Sequence, residues 1–308
     1  MNFLHWTLVV VGLVGLVLFA TDKRRPQKAA TYFRFVLLII VAVGILTPFA
    51  WLATAVFKES NALMQYAFLP PFGEWADKLG LTSFRKLFEA RPSLQGMVEF
   101  WQYLLNSVFI ASAATIIQTL FCSMGGYALS KYRFGGQRVV MLFMLGSMTL
   151  PSMLLLAPLY KMMVGFGWMD SYLALLVPGA AGAFGIFLFR QAMLAVPDSL
   201  LEAARMDGAS EWFIYWRIIM PLVRPMTAAF CLIVFMGQWN AFIGPQIFLH
   251  TGYKLTAPVM LAQYMTQFQE DYGVFLSGTF LAILPIAVLF LALQKEFIAG
   301  LTSGAVKG

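Results

Sequence analysis

Charge is what this chain has least of. Only 11% of its 308 residues are Asp, Glu, Lys or Arg and 60% are hydrophobic, against roughly 25% and 45–50% in soluble domains. That is too little polar surface to cover a soluble fold, so the chain reads as a polytopic membrane protein. Cysteine and histidine are scarcer still. Cys122 and Cys231 both lie in apolar runs, where a thiol behaves as a small hydrophobe and does not report a redox compartment. His5 and His250 are far apart in sequence, so no metal site is expected. Acidic residues are missing from every long apolar run, and the cations nearest to one, Lys161 and Arg190, sit close enough to run ends to snorkel. Ion-coupled transporters usually keep an intramembrane ionisable residue or a broken helix for the ion, so the energy for any transport is expected to come from outside the chain. Nor is there a G-x-x-x-x-G-K-[ST] stretch, so the chain does not hold ATP in a P-loop of its own.

The net charge of +7 comes from Lys and Arg in short blocks between apolar runs, as the positive-inside rule requires, which disfavours nucleic acid as a partner and favours a lipid bilayer. The first run, Phe3 to Ala20, is at the short end of what crosses a membrane. MNFLHW lacks the positive start of a signal peptide and no small-x-small cleavage pattern precedes Thr21, so residues 1–20 are read as an extra N-terminal membrane helix. The loop 21–34 carries Lys23, Arg24, Arg25, Lys28 and Arg34 against Asp22 and is assigned to the cytoplasm, which places the N-terminus in the periplasm of a Gram-negative cell. Residues 35–57 form the first core membrane helix. The segment 58–101, with balanced charge and Pro70-Pro71-Phe72-Gly73, reads as external and irregular with a short helix or two. Residues 102–298 form the rest of the core, with apolar runs at about 104–129, 139–164, 172–194, 226–249 and 275–293. That gives six core helices and seven spans. Lys131, Arg133 and Arg138 mark a cytoplasmic loop; 165–171 and 250–274 have no positive excess and read as external; Lys295 and Lys307 keep the C-terminus inside.

One polar interruption is itself built like folded structure. In PDSLLEAARMDGASEWFIYWRIIMPLVRP, residues 197–225, Ser199 and Glu202 form a capping box at the start of a helix and Asp207-Gly208 supplies the turn that ends it. Ser210 caps a second helix that carries Trp212, Phe213, Tyr215, Trp216, Ile218 and Ile219 up to Pro221, where helix is expected to stop. Ala203 and Ala204 leave one flank of the first helix open to close approach. Exposed apolar residues on such a pair outside the membrane indicate a protein interface.

Glu202-Ala203-Ala204, Asp207-Gly208-Ala209, Ile218 to Pro221-Leu222 and Pro225 also resemble, in type and spacing, the EAA loop of ATP-binding-cassette importer permeases. The resemblance runs from about Phe33 to Gly308, is closest to the carbohydrate-importer branch that contains the maltose-type permeases, and does not include residues 1–30. It implies an all-α polytopic membrane protein with the type I importer transmembrane fold, acting as the permease subunit of an ATP-driven saccharide importer and not itself an enzyme. It further implies a homologous second permease, two ATPase subunits that carry the ATP and Mg, and an external substrate-binding protein, with no cofactor in this chain. Glu202, Ala203, Ala204, Asp207, Gly208, Ala209 and Pro221 are then the ATPase-docking residues. Overall similarity extends to alginate importers, although no residue demonstrates an acidic polysaccharide.

Gln238-Trp239-Asn240 interrupts the run 226–249; amides there either bond to a neighbouring helix or line a wet cavity. A W-N pair is common at this position in the carbohydrate branch, and Trp239 or Asn240 is expected on the substrate path, with Tyr160 and Thr149 facing the same space and Gln238 bonded to a neighbour. Gly179, Gly182 and Gly185 make one run small-faced, which close helix packing explains. The tail 299–308 reads as a frayed end on its own terms, yet it resembles the maltose-type tail that reaches the ATPase dimer interface, which would place Thr302, Ser303, Gly304 and Lys307 there. The competing reading from another class is a stand-alone secondary transporter or channel for a polar solute.

Overall fold

The computed structural model describes residues 25–59, 62–93, 96–267 and 272–303. The expected extra helix at 1–20 and the tail positions Gly304 and Lys307 lie outside them. The described chain is helical apart from one antiparallel hairpin and divides into two compact units, 1–83 and 84–308.

The first unit is built on α1 (Arg25–Ala55). Its stretch Ala30–Ala55 is 26 residues long, about 39 Å at 1.5 Å per residue, enough for a hydrocarbon core of about 30 Å. Phe35, Leu38, Ile39 and Leu46 all stand exposed, as side chains facing lipid do. The irregular segment after it is organised by a buried lysine: Lys58 donates from Nζ to the Tyr66 carbonyl at 2.7 Å and pairs through its backbone with Leu79.

The division falls inside α2 (Thr82–Phe88), which leads into the hairpin β1 (Arg91–Ser93) and β2 (Gly96–Val98) of the second unit, pairing Arg91 with Val98 and Ser93 with Gly96. The sequence reading did not anticipate this hairpin. The organising element is α3 (Phe100–Lys131), 32 residues without a break, flanked by α6 (Ala183–Leu194) and α8 (Arg224–Trp239). Gly126 makes the α3–α6 approach possible, because a Cβ there would meet Phe189 Cβ at 2.6 Å and the Arg190 nitrogen at 2.8 Å. In the small-faced run, Gly185 does the same against Phe230 and Cys122, whereas Gly182 has open space around it, so close packing accounts for one glycine and not the whole run. The helices α10 (Ala257–Gln267) and α11 (Tyr272–Ser303) close the bundle. The two larger buried clusters, one around Phe100, Tyr103, Leu255 and Tyr264 and one around Tyr127, Phe189, Ile214 and Tyr215, lie at opposite ends of α3.

Three apolar runs expected as single helices are broken. The run 139–164 is split into α4 (Gln137–Ser147) and α5 (Leu156–Gly165), joined through Pro151 and a 3-10 turn and bent by 97°. The run 172–194 makes only a turn at Leu173–Leu176, yields at Pro178-Gly179, and resumes in α6. The run 226–249 stops at Trp239 and restarts as α9 (Ile243–Phe248). In each case a residue that cannot keep a backbone ladder, or an amide that competes for it, outweighs a uniform hydrophobicity. Among the described residues three helices are long and apolar enough to cross a membrane, Ala30–Ala55, Phe100–Lys131 and Tyr272–Lys295, and six spans result if each bent pair counts as one.

Candidate functional site

The polar stretch folds into two short helical pieces set across the ends of their neighbours. The first, α7 (Asp198–Met206), meets α6 at 77°, and the helical segment 211–222 meets α8 at 81°. The helix start differs from the expected capping box. Pro197, extended at ψ 135°, places Asp198 first in the helix, and no side-chain cap bond forms. Ser199 is thereby inside the first turn, and Asp198 is drawn instead to Lys131 Nζ at 2.6 Å.

The end of α7 is a Schellman turn. Gly208 has φ 82°, its N–H bonds to Arg205 O, and the Ala209 N–H reaches back to Ala204 O, each at 3.0 Å. A Cβ on Gly208 would meet nothing within 4 Å, so the glycine is required by its backbone angle and not by crowding. Ser210 then accepts the Phe213 N–H at 3.3 Å, which caps the second piece as the sequence indicated.

Pro221 does not end that piece. Ile214–Ile219 widens to a π-helix in which the Met220 N–H bonds to Tyr215 O, and helix continues through Met220–Leu222. The wider turn removes the collision a proline ring makes with the carbonyl four residues back, which is why the residue expected to stop the helix is tolerated within it.

Glu202, Ala203, Asp207, Gly208 and Pro221 are all exposed, and Ala204 and Ala209 are half-buried against the cluster around Ile214. Around them Leu200, Phe213, Trp216 and Leu222 stand in solvent, Met206 at 88% exposure and Trp212 at 60%. This apolar face is held by polar bonds that the sequence did not reveal. Glu211 is their hub: Oε1 accepts Arg205 Nε at 2.8 Å, and Oε2 accepts the hydroxyls of Tyr132 at 2.6 Å and Tyr127 at 3.0 Å. The Arg205 guanidinium first, and then the Tyr132 hydroxyl, hold the Glu211 carboxyl at about 2, below the usual 4.5. Tyr215 shares a hydrogen bond with Ser123 at 2.6 Å, and Lys131 donates to Val196 O at 2.6 Å. Both pieces are therefore tied to the last turns of α3. The Gly208 turn and the Ser210 cap were legible beforehand, but these bonds were not, since the partners at the end of α3 and just after it are 65 to 92 residues away.

Trp239 does not face open space: it is 2% exposed, stacks on Phe235, and donates its indole N–H to Ala282 O of α11 at 3.0 Å. The neighbouring-helix bond expected of Gln238 is made by Trp239. Asn240 is exposed but sits at the end of α8, with its amide turned back to Met236 O at 2.8 Å. Tyr160 is partly exposed on α5 and stacks on Phe248 of α9, ring centroids 6.4 Å apart, while Thr149 lies in the break after α4 with its hydroxyl on Gly146 O. Tyr160 and Asn240 remain accessible; Trp239 packs the bundle. Thr302 and Ser303 are the last residues of α11.

A third cluster joins the loop after α5 to the loop after α9. Asp170, with φ 56°, accepts from the backbone N–H groups of His250 and Thr251, both at 2.9 Å, from the Thr251 hydroxyl, and from Lys254 Nζ at 2.8 Å. Burial alone would raise its carboxyl, but the bonds from Lys254, Thr251 and His250 outweigh that and hold it well below the usual carboxylate range.

A mostly helical bundle with helices long and apolar enough to cross a membrane thus presents a clamped pair of short helices across its end. Residues 122–295 match the family described as "Binding-protein-dependent transport system inner membrane component", and the chain belongs to that family. It is 32% identical over 286 residues to the arabinooligosaccharides transport system permease protein AraQ of Halalkalibacterium halodurans, covering 93% of this chain and 100% of that one. It is also 32% identical over 293 residues to the maltodextrin transport system permease protein MdxG of Bacillus subtilis, covering 94% and 99%. Among solved structures, a chain of a bacterial ABC transporter involved in the import of the acidic polysaccharide alginate shares the fold, with TM-score 0.75 and 24% identity over 89% of this chain and 98% of that one. The chain is accordingly a carbohydrate-importer permease subunit, a multi-pass membrane protein that is not itself an enzyme.

Proposed function

We propose that this permease docks an ATPase subunit through Asp198 to Pro221 and converts ATP-driven movement of that element into saccharide import. The observation that carries the reading is the combination of an exposed apolar face at Met206, Trp212, Phe213 and Trp216 with a polar clamp beneath it. A surface built to bind would otherwise be left wet, and one built to transmit force has to be fixed to what it moves. Glu202, Ala203, Ala204, Asp207, Gly208, Ala209 and Pro221 form or flank the face, and Thr302, Ser303, Gly304 and Lys307 contribute to the ATPase interface. In this reading the Lys131 end of α3 and the C-terminus are cytoplasmic, the N-terminus is periplasmic, and the Asp170 cluster faces the periplasm.

The complete importer contains a second, homologous permease, two ATPase subunits that hold ATP and Mg, and an external substrate-binding protein. ATP binding closes the ATPase pair, shifts the docked helices and turns the cavity outward; hydrolysis returns it. The saccharide path runs between the two permeases past Tyr160 and Asn240. The alginate importer that shares this fold makes an acidic oligo- or polysaccharide the first substrate to try.

The test is Gly208→Val. A β-branched side chain at φ 82° costs about 1–2 kcal/mol of local strain, which distorts the docking turn without touching the membrane helices. Loss of ATPase co-purification from a normally inserted permease is expected. Normal co-purification together with normal uptake would overturn the assignment. The substrate is identified by which saccharide, offered with the binding protein, stimulates the complex's ATPase.

A further inference from the structure

The two polar clusters are attached to the same helix. At its Lys131 end, α3 holds the docking element through Tyr127, Lys131 and Ser123. At its Phe100 end, Asn106 is 6% exposed and donates both amide hydrogens to backbone carbonyls of the loop after α9, Tyr253 O at 2.8 Å and Leu255 O at 2.9 Å. Gln102 fixes the rotamer by donating to Asn106 Oδ1 at 3.0 Å, and Ser107 accepts the Ala257 N–H, at the start of α10, at 2.8 Å. The same loop is what Asp170 grips through His250, Thr251 and Lys254. Between Asn106 and Tyr127 the helix is unbroken, a span of about 32 Å at 1.5 Å per residue.

We propose that Asn106 is a positioning residue for transport. It fastens the loop Leu249–Thr256, and with it the Asp170 cluster, to α3, so that displacement of the docking element is delivered to that loop through a single helix. The chemistry suits a fastener. A buried amide with two donors committed to two carbonyls and its oxygen held by Gln102 is fully satisfied, and loss of any partner strands a buried polar group. α3 contains no Pro, and Gly125 and Gly126, where a helix could kink, lie against Ile186 and Phe189 of α6, so two ends fastened in this way move together. The proposal rests on the docking assignment, and its tests are chosen to fail separately.

Asn106→Asp keeps the side-chain size, removes both donors, and sets a carboxylate against two carbonyls. In the complete transporter reconstituted with its binding protein, ATPase co-purification and basal hydrolysis should be unchanged. Uptake should fall about tenfold, within the usual range of coupling between sites. Uptake within twofold of the parent in an intact complex would overturn the proposal and leave the docking assignment standing. A purely structural role is separated by distance. Spin labels on Ser199→Cys, exposed in the first turn of α7 and outside the apolar face, and on Tyr253→Cys, also exposed, should keep their separation to within about 2 Å between the nucleotide-free and ATP–vanadate states, the scale of small helix shifts. In Asn106→Asp that separation should change with nucleotide. A large change with Asn106 in place would refute the single-helix linkage, and this arm decides the matter even where Asn106→Asp does not assemble.

Discussion

Replacing Glu211 with Gln tests the clamp that fixes the docking element to α3. The amide keeps size and can still accept from one tyrosine, but it gives up the charge that faces Arg205 at 2.8 Å and the hydroxyls at 2.6 and 3.0 Å. A carboxyl held at about 2 instead of 4.5 would correspond to about 3 kcal/mol if unscreened. The side chains of Arg205 and Glu211 are 40% and 46% exposed, and solvent screening at such exposure reduces the benefit to about 1 kcal/mol. Because the folded-state carboxyl lies below its unfolded value, the stabilisation is fully present above pH 4.5 and lost as pH falls through about 2. At neutral pH the purified Glu211→Gln permease should therefore melt about 2 °C lower than the parent. The gap should close as the solution is acidified through that window. Two measurements decide: thermal midpoints by tryptophan fluorescence across pH, and capture of the ATPase subunit at pH 7. Coincident midpoints at neutral pH, or a gap that persists unchanged at the acid end, would refute the clamp.

Other substitutions follow from the same geometry. Gly208→Ala should cost about 1 kcal/mol of stability by calorimetry while Gly208→Asn costs less, because Asn tolerates positive φ; equal costs would mean space and not backbone angle governs the site. Gly126→Ala should lower the melting point by overpacking α3 against α6, worth about 1–3 kcal/mol, whereas Gly182→Ala, with nothing within 4 Å, should be silent. Trp239→Phe should destabilise by about 1 kcal/mol through the lost bond to Ala282, and with a saccharide KM unchanged in uptake assays; a raised KM would restore Trp239 to the path.

Sequence alone determined the elements that depend on composition and on local backbone chemistry. Scarcity of charge and long apolar runs set a membrane bundle, and Asp207-Gly208 with Ser210 set a turn and a cap, because positive φ and a side-chain acceptor are properties of single residues and their immediate neighbours. The EAA-like spacing then pointed to the family that the relatives confirm. Tertiary structure decided the rest. Whether Trp239 lines a cavity or packs on Ala282 depends on α11, 43 residues away, and periodicity is silent on which helix arrives. Pro221 was expected to end a helix, yet a π-turn six residues long absorbs it, a local alternative that pays off only when Ile214, Tyr215 and Ile219 are buried by that geometry. Glu211 in sequence is one acid among four in a polar loop. It becomes the pivot of the docking element only because folding brings Tyr127 of α3 and Tyr132 just after it to Glu211, and hydrogen bonds between groups distant along the chain are fixed by packing and not by propensity.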